Sequence, residues 1–131
     1  MPAAPRQKLK KKFGRKTVDE RMCDNVASAR KGEDIRNRKG DNTQVSTDKN
    51  RTIVRLHGNV IARIVKNSMV LSDGNYPPTK VTLSRLNTLI DAFCVNPEKC
   101  YIRMSRGKWV VNDNDEKTTV QKLKHAFKIK K

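Results

Sequence analysis

Acidic residues are missing from both ends of this chain: none precedes Asp19 and none follows Glu116. Aromatic residues make up only 5% of the composition, so platforms for stacking a nucleobase are scarce. No apolar run approaches the roughly 18 residues that a membrane-spanning helix needs. The basic N-terminus has no apolar stretch behind it, which argues against a secretory signal, and only Leu9 and Phe13 could anchor it in a lipid interface. No membrane association is expected. The three cysteines, Cys23, Cys94 and Cys100, form no Cys-x-x-Cys pair and leave an odd thiol. That argues against a disulfide scaffold and fits a reducing compartment.

Signatures of catalysis are missing as well. The chain has no phosphate-binding Gly loop, no Gly-x-Ser-x-Gly elbow and no His-Glu-x-x-His. His57 reads as a solvated imidazole on the polar side of a strand, and His125 as a weak base among lysines. Asp113 and Asp115 are the only candidates for holding the divalent metal of a nuclease, and a solvated acidic turn from Asn112 to Glu116 explains them more simply. Cys94, Cys100 and a histidine fall short of the four closely paired ligands of structural zinc. We therefore expect no catalytic residue, no metal and no cofactor.

Positive charge is abundant. Lys and Arg total 30 against 13 Asp and Glu, a net charge of +17 in 131 residues. The first 16 residues hold seven bases, Arg6, Lys8, Lys10, Lys11, Lys12, Arg15 and Lys16, and Lys117 to Lys131 holds six lysines. Self-repulsion on this scale opposes compaction, so a polyanionic partner is the economical explanation, with nucleic acid first. A merely solvated charged surface is the alternative. Acid-free runs at both ends fit it less well than a mixed-charge face would.

Patterning divides the chain in three. Residues 1–50 read as a basic, largely disordered arm and linker. Within them Val18, Met22 and Val26 recur at helical spacing over 17–31, in a helix that needs a partner or the core to order it. Residues 51–115 read as a small α+β domain, an antiparallel sheet of about four strands packed on one helix, with the core between Ile53 and Val111. Thr52–Val65 alternates as one long strand, because a hairpin turning at Gly58-Asn59 sets Val54 against Arg63. A turn at Lys66-Asn67 then pairs Ile64 with Met69 and Ala62 with Leu71. A helix follows over 82–95, capped by Thr82, with Arg85 and Asn87 outward. Next comes a hairpin turning at Arg106-Gly107 that pairs Met104 with Trp109 and Ile102 with Val111. In residues 116–131, Thr118 with Gln121 and the stripe Val120, Leu123, Phe127 suggest a basic C-terminal helix.

Short motifs in the middle of the chain are Leu56-His57, Val70-Leu71-Ser72, Gly74-Asn75-Tyr76, Thr79-Lys80, Arg85-Leu86-Asn87 and Trp109-Val110-Val111. Their order resembles a group of small, functionally uncharacterised proteins of tailed bacteriophages. Asn75 stands where that pattern has a second glycine. The resemblance implies a phage origin and a small α+β fold, hence the host cytoplasm or the virion as the place of action. It transfers no activity.

The function expected is non-catalytic binding of the phosphate backbone of DNA or RNA with little sequence specificity. The residues expected to carry it are the seven arm bases named above, Arg55 and Arg63 on the first strand, and Tyr101, Arg103 and Lys108 on a sheet face. Lys122, Lys124 and Lys128 of the C-terminal segment complete the set. The alternative is a virion component or early phage protein docking on a host protein. An open sheet edge also invites pairing with a second copy or a partner strand.

Overall fold

The structure, a computed structural model, describes residues 16–75 and 79–130. Arg6, Lys8, Lys10, Lys11, Lys12 and Arg15, and the Tyr76 to Pro78 part of the loop, lie outside the described residues.

Thr17 starts the first helix, α1 (Val18–Arg30), through a capping box: its hydroxyl accepts from the Glu20 N–H, and the Glu20 carboxylate accepts from the Thr17 N–H. Gly32, at φ 75°, ends it, and the Gly32 and Glu33 amides bond back to Ala29 and Ser28 in a Schellman arrangement. The expected stripe drives the packing. Met22 and Val26 are buried against the core, so the helix is ordered by its own chain.

Residues 43–48, expected within a linker, form β1 (Thr43–Asp48), which pairs along its full length with β2 (Arg51–Leu56). The long strand expected over 52–65 is instead a hairpin of β2 and β3 (Asn59–Ile64). The chain reverses at His57-Gly58, both in the left-handed region at φ 51° and 83°. This turn lies one residue earlier than the hairpin that the pairing argument rejected. A bulge at Ile61 then slips the register, so that Val54 faces Ala62 and Thr52 faces Ile64. Ile61 and Ala62 are both buried, and the apolar face continues through the reversal. β4 (Ser68–Ser72) returns in the expected register, with Ile64 opposite Met69 and Ala62 opposite Leu71.

α2 (Lys80–Phe93) begins two residues earlier than expected. Its cap is Thr79, whose hydroxyl accepts from the Thr82 N–H at 3.2 Å. Thr82 is itself buried, and so is Arg85, which was expected to point outward. After a 3-10 turn (Pro97–Lys99) come β5 (Cys100–Ser105) and β6 (Lys108–Asp113), joined at Arg106-Gly107 with the anticipated pairs Met104–Trp109 and Ile102–Val111. The basic C-terminal helix is not formed. Asn114-Asp115, at φ 52° and 72°, turn the chain into β7 (Glu116–Val120), and β8 (Lys124–Lys128) follows.

Among the described residues the result is an α+β fold with two α-helices and two antiparallel sheets, ordered β1-β2-β3-β4-β8 and β5-β6-β7. One core joins them. It extends well beyond the expected 53–111 stretch, because Met22, Val26, Val45, Leu123, Phe127 and Ile129 all belong to it. On two edge strands an asparagine amide pairs with one residue as a neighbouring strand would. Asn37 accepts from the Val45 N–H and donates to the Val45 carbonyl on the edge of β1. Asn87 does the same to Ile102 on β5.

Candidate nucleic-acid interface

Successive strand residues point to opposite faces, so the register decides which bases meet. In the larger sheet Val54, Ala62, Ile64, Met69, Leu71 and Phe127 turn toward the core. The residues between them turn away. That outer face carries Arg51 and Arg55 from β2, Arg63 from β3, and Lys124 and Lys128 from β8. Across it Arg63 lies opposite Ile53 and Val70, Val70 lies opposite Ala126, and the two lysines flank Ala126. A strand rise of about 3.3 Å per residue sets those lysines ~13 Å apart along β8. The acid on this face, Asp48, is bonded to Arg51 at 3.0 Å. Arg55 is steadied by donating to the Ser46 hydroxyl at 2.9 Å.

Four of the expected residues, Arg55, Arg63, Lys124 and Lys128, thus converge on one surface although the lysines were expected on a helix. The alternation Lys122, Lys124, Ala126, Lys128, Lys130 against Leu123, His125, Phe127, Ile129 is the signal that could have placed them on a strand. Arg51 was not singled out from the sequence; the hairpin that presents it depends on the unanticipated strand β1. Lys122 is exposed in the connection between β7 and β8, and Lys16 sits before α1, bonded to Asp24 at 2.5 Å.

Tyr101, Arg103 and Lys108 belong to the other sheet, on the face away from its core side chains. Tyr101 is 37% exposed but lines a shallow groove with Asp91 and Glu98. Those carboxylates repel phosphate, so this surface is electrostatically the poorer of the two. The outer face of the larger sheet contains no aromatic residue on its described strands, which suits phosphate contact rather than base stacking.

Polar residues elsewhere hold the framework. Arg85 donates to Thr43 Oγ1 (2.8 Å), Asp19 Oδ1 (2.9 Å) and Asn42 Oδ1 (3.1 Å), tying α1 and the entry to β1 onto α2. His125 Nε2 lies 2.8 Å from Asp113 Oδ2, joining β8 to the end of β6. Burial pushes the Cys23 and Cys94 thiols up to about 12 and raises that of Cys100, so all three are protonated, weakly nucleophilic groups at neutral pH. Among the described residues no group of His, Cys, Asp and Glu could hold a metal ion, and no helix is long and apolar enough to cross a membrane.

No curated protein and no solved structure matches this chain significantly. A sequence profile described as Kyanoviridae Gp96 protein matches residues 16–129, from the helix cap to beyond the last strand. The phage origin implied by the motifs is thereby established, and the chain belongs to the Kyanoviridae Gp96 family of phage proteins.

Proposed function

We propose that this phage protein binds the phosphate backbone of nucleic acid without catalysis, using the outer face of its larger sheet together with the basic run at residues 6–16. The observation that carries the reading is the convergence of Arg51, Arg55, Arg63, Lys124 and Lys128 on one face, where Asp48 is the one acid among the described strand residues. Cations spread over a sheet surface meet phosphates by position and charge, and the absence of aromatic platforms on that surface leaves little to read a base. Binding is therefore expected to be weakly sequence-specific and steeply salt-dependent.

The test is fluorescence anisotropy with labelled DNA and RNA over a series of salt concentrations. Each phosphate contact contributes about 0.9 to the slope of log affinity against log salt on duplex DNA. Combined replacement of Arg63, Lys124 and Lys128 by Ala is expected to weaken binding and to make the slope shallower by roughly two to three. Removing the hydroxyphenyl and guanidinium groups of Tyr101 and Arg103 is expected to change both quantities less. Wild-type affinity and slope in the triple variant would rule out the sheet face.

A further inference from the structure

At one end of the larger sheet, the C-terminal turn of α1 and the β1–β2 and β3–β4 turns enclose a cleft of about 820 Å³. A volume of that order suits a small organic ligand, within the usual 300 to 1,000 Å³ or so. Its rim carries Arg30, Lys31, Lys49, Arg51 and Lys66, and none of its lining residues is acidic. Its floor is apolar, from Ala27, Ile64, Val65 and Phe93, with Val65 left 40% exposed. Most large aliphatic side chains of the neighbouring strands are buried, with Val60 and Val70 partly so, whereas Val65, just beyond β3, stays open beside these cations.

The cleft is already organised. Arg30 stands over the Phe93 ring at 5.5 Å and donates to the carbonyls of Lys66 and Lys130, which locks the apolar wall in place. The Ala27, Ser28 and Ala29 carbonyls at the end of α1 are bonded to the Lys31, Gly32 and Glu33 amides. Arg51 belongs both to this rim and to the basic face of the sheet, and that makes the two surfaces continuous.

An apolar floor below a cationic rim fits one chemistry well: a flat base that loses water on the floor and a phosphate that meets the rim. We infer that this cleft seats a single unpaired nucleotide of a strand whose neighbouring backbone lies on the sheet face. A base in a continuous duplex is stacked on both sides and cannot enter, so strand ends and single-stranded tails are the forms selected. This rests on the proposed backbone binding and adds to it a preference that the sheet face alone does not supply.

The experiment compares a labelled blunt duplex with the same duplex carrying a short unpaired tail, each titrated with the full chain at fixed low salt. Seating one base on an apolar surface is expected to favour the tailed form about tenfold. Val65→Ser changes no charge and leaves the Val65 amide bond to Ser68 available, so it is expected to abolish the preference while blunt-duplex affinity stays as in wild type. Lys66→Glu is expected to reduce the preference as well, with thermal denaturation confirming that both variants fold. Equal wild-type affinity for the two duplexes overturns the cleft inference and leaves the sheet-face reading intact. No binding to either duplex removes both.

Discussion

Replacing Arg85 by Ala strips the donors from three acceptors at once, Thr43 Oγ1, Asp19 Oδ1 and Asn42 Oδ1. The pair with Asp19 is well shielded, with side-chain exposures of 11% and 24%, so the stranded carboxylate is only partly rescued by water. The expected loss is about 2–4 kcal/mol, and Lys is expected to restore little of it because an ammonium cannot serve three diverging acceptors. Urea unfolding of the two variants measures this; a loss below about 1 kcal/mol in R85A means the network contributes no more than a surface pair. Asp41 supports a pH prediction. The Arg21 guanidinium, bonded to it at 2.7 and 2.9 Å, holds its carboxyl below the usual range. A lowered folded pKa means that the stabilisation is complete above the unfolded value of about 3.9 and is lost as pH falls through the folded one. The stability difference between wild type and Asp41→Asn is therefore expected to be constant near neutrality and to close in acid. A difference that ignores pH shows that the ion pair adds nothing. Single residues of this kind were poorly legible in the sequence. Arg85, Asn87 and Asn37 look like solvated polar groups on a helix or linker, and their partners lie on other elements, those of Arg85 remote in the chain.

At the level of elements, the hairpin at His57-Gly58 has the most to teach. Both turn residues occupy the left-handed region, and a Cβ added at Gly58 meets nothing within 4 Å. Gly58→Ala therefore carries only the backbone penalty, about 1–2 kcal/mol, whereas His57→Gly relieves strain and is expected to stabilise slightly. Thermal unfolding of the pair is the measurement, and a neutral Gly58→Ala would mean that the turn relaxes to another type. Alternation found Thr52, Val54, Leu56, Ala62 and Ile64 on the inner face, but it put Val60 there and missed the buried Ile61. The reversal stayed hidden because the bulge at Ile61 restores the pattern after the turn. The hairpins at Lys66-Asn67 and Arg106-Gly107 contain no bulge, and simple pairing located both. The C-terminal segment failed for a different reason. Val120, Leu123 and Phe127 satisfy helical spacing, but Asn114 and Asp115 can both adopt positive φ, and Leu123, His125, Phe127 and Ile129 alternate. Burial of that alternating face against β4 outweighs a capping box that no packing partner supports. Helix α1 and helix α2 were legible from their apolar spacing, although the cap of α2 was expected at Thr82 and is Thr79.

For the molecule as a whole, charge is the quantity to vary. At +17 the folded chain repels itself, and bringing cations onto one sheet face concentrates part of that cost. Mobile ions relieve it, since the screening length shrinks from about 30 Å at 0.01 M salt to about 10 Å at 0.1 M. The melting temperature of the free protein is therefore expected to rise as salt is added. A bound polyanion relieves the same repulsion and also stabilises by RT ln(1 + [L]/Kd). Its increment must shrink with salt because its affinity does. The two effects have opposite signs along one axis. At low salt, DNA is expected to raise the melting temperature strongly. At high salt, the curves with and without DNA are expected to meet, at a temperature above that of the free protein at low salt. A chain whose charge served only to keep it solvated shows the first trend alone: salt stabilises it, and DNA leaves its melting temperature unchanged at every ionic strength. The R63A/K124A/K128A variant separates the causes further. It is expected to melt higher than wild type when free at low salt, because three repelling cations are gone, and to gain less from DNA, because those same cations are the contacts.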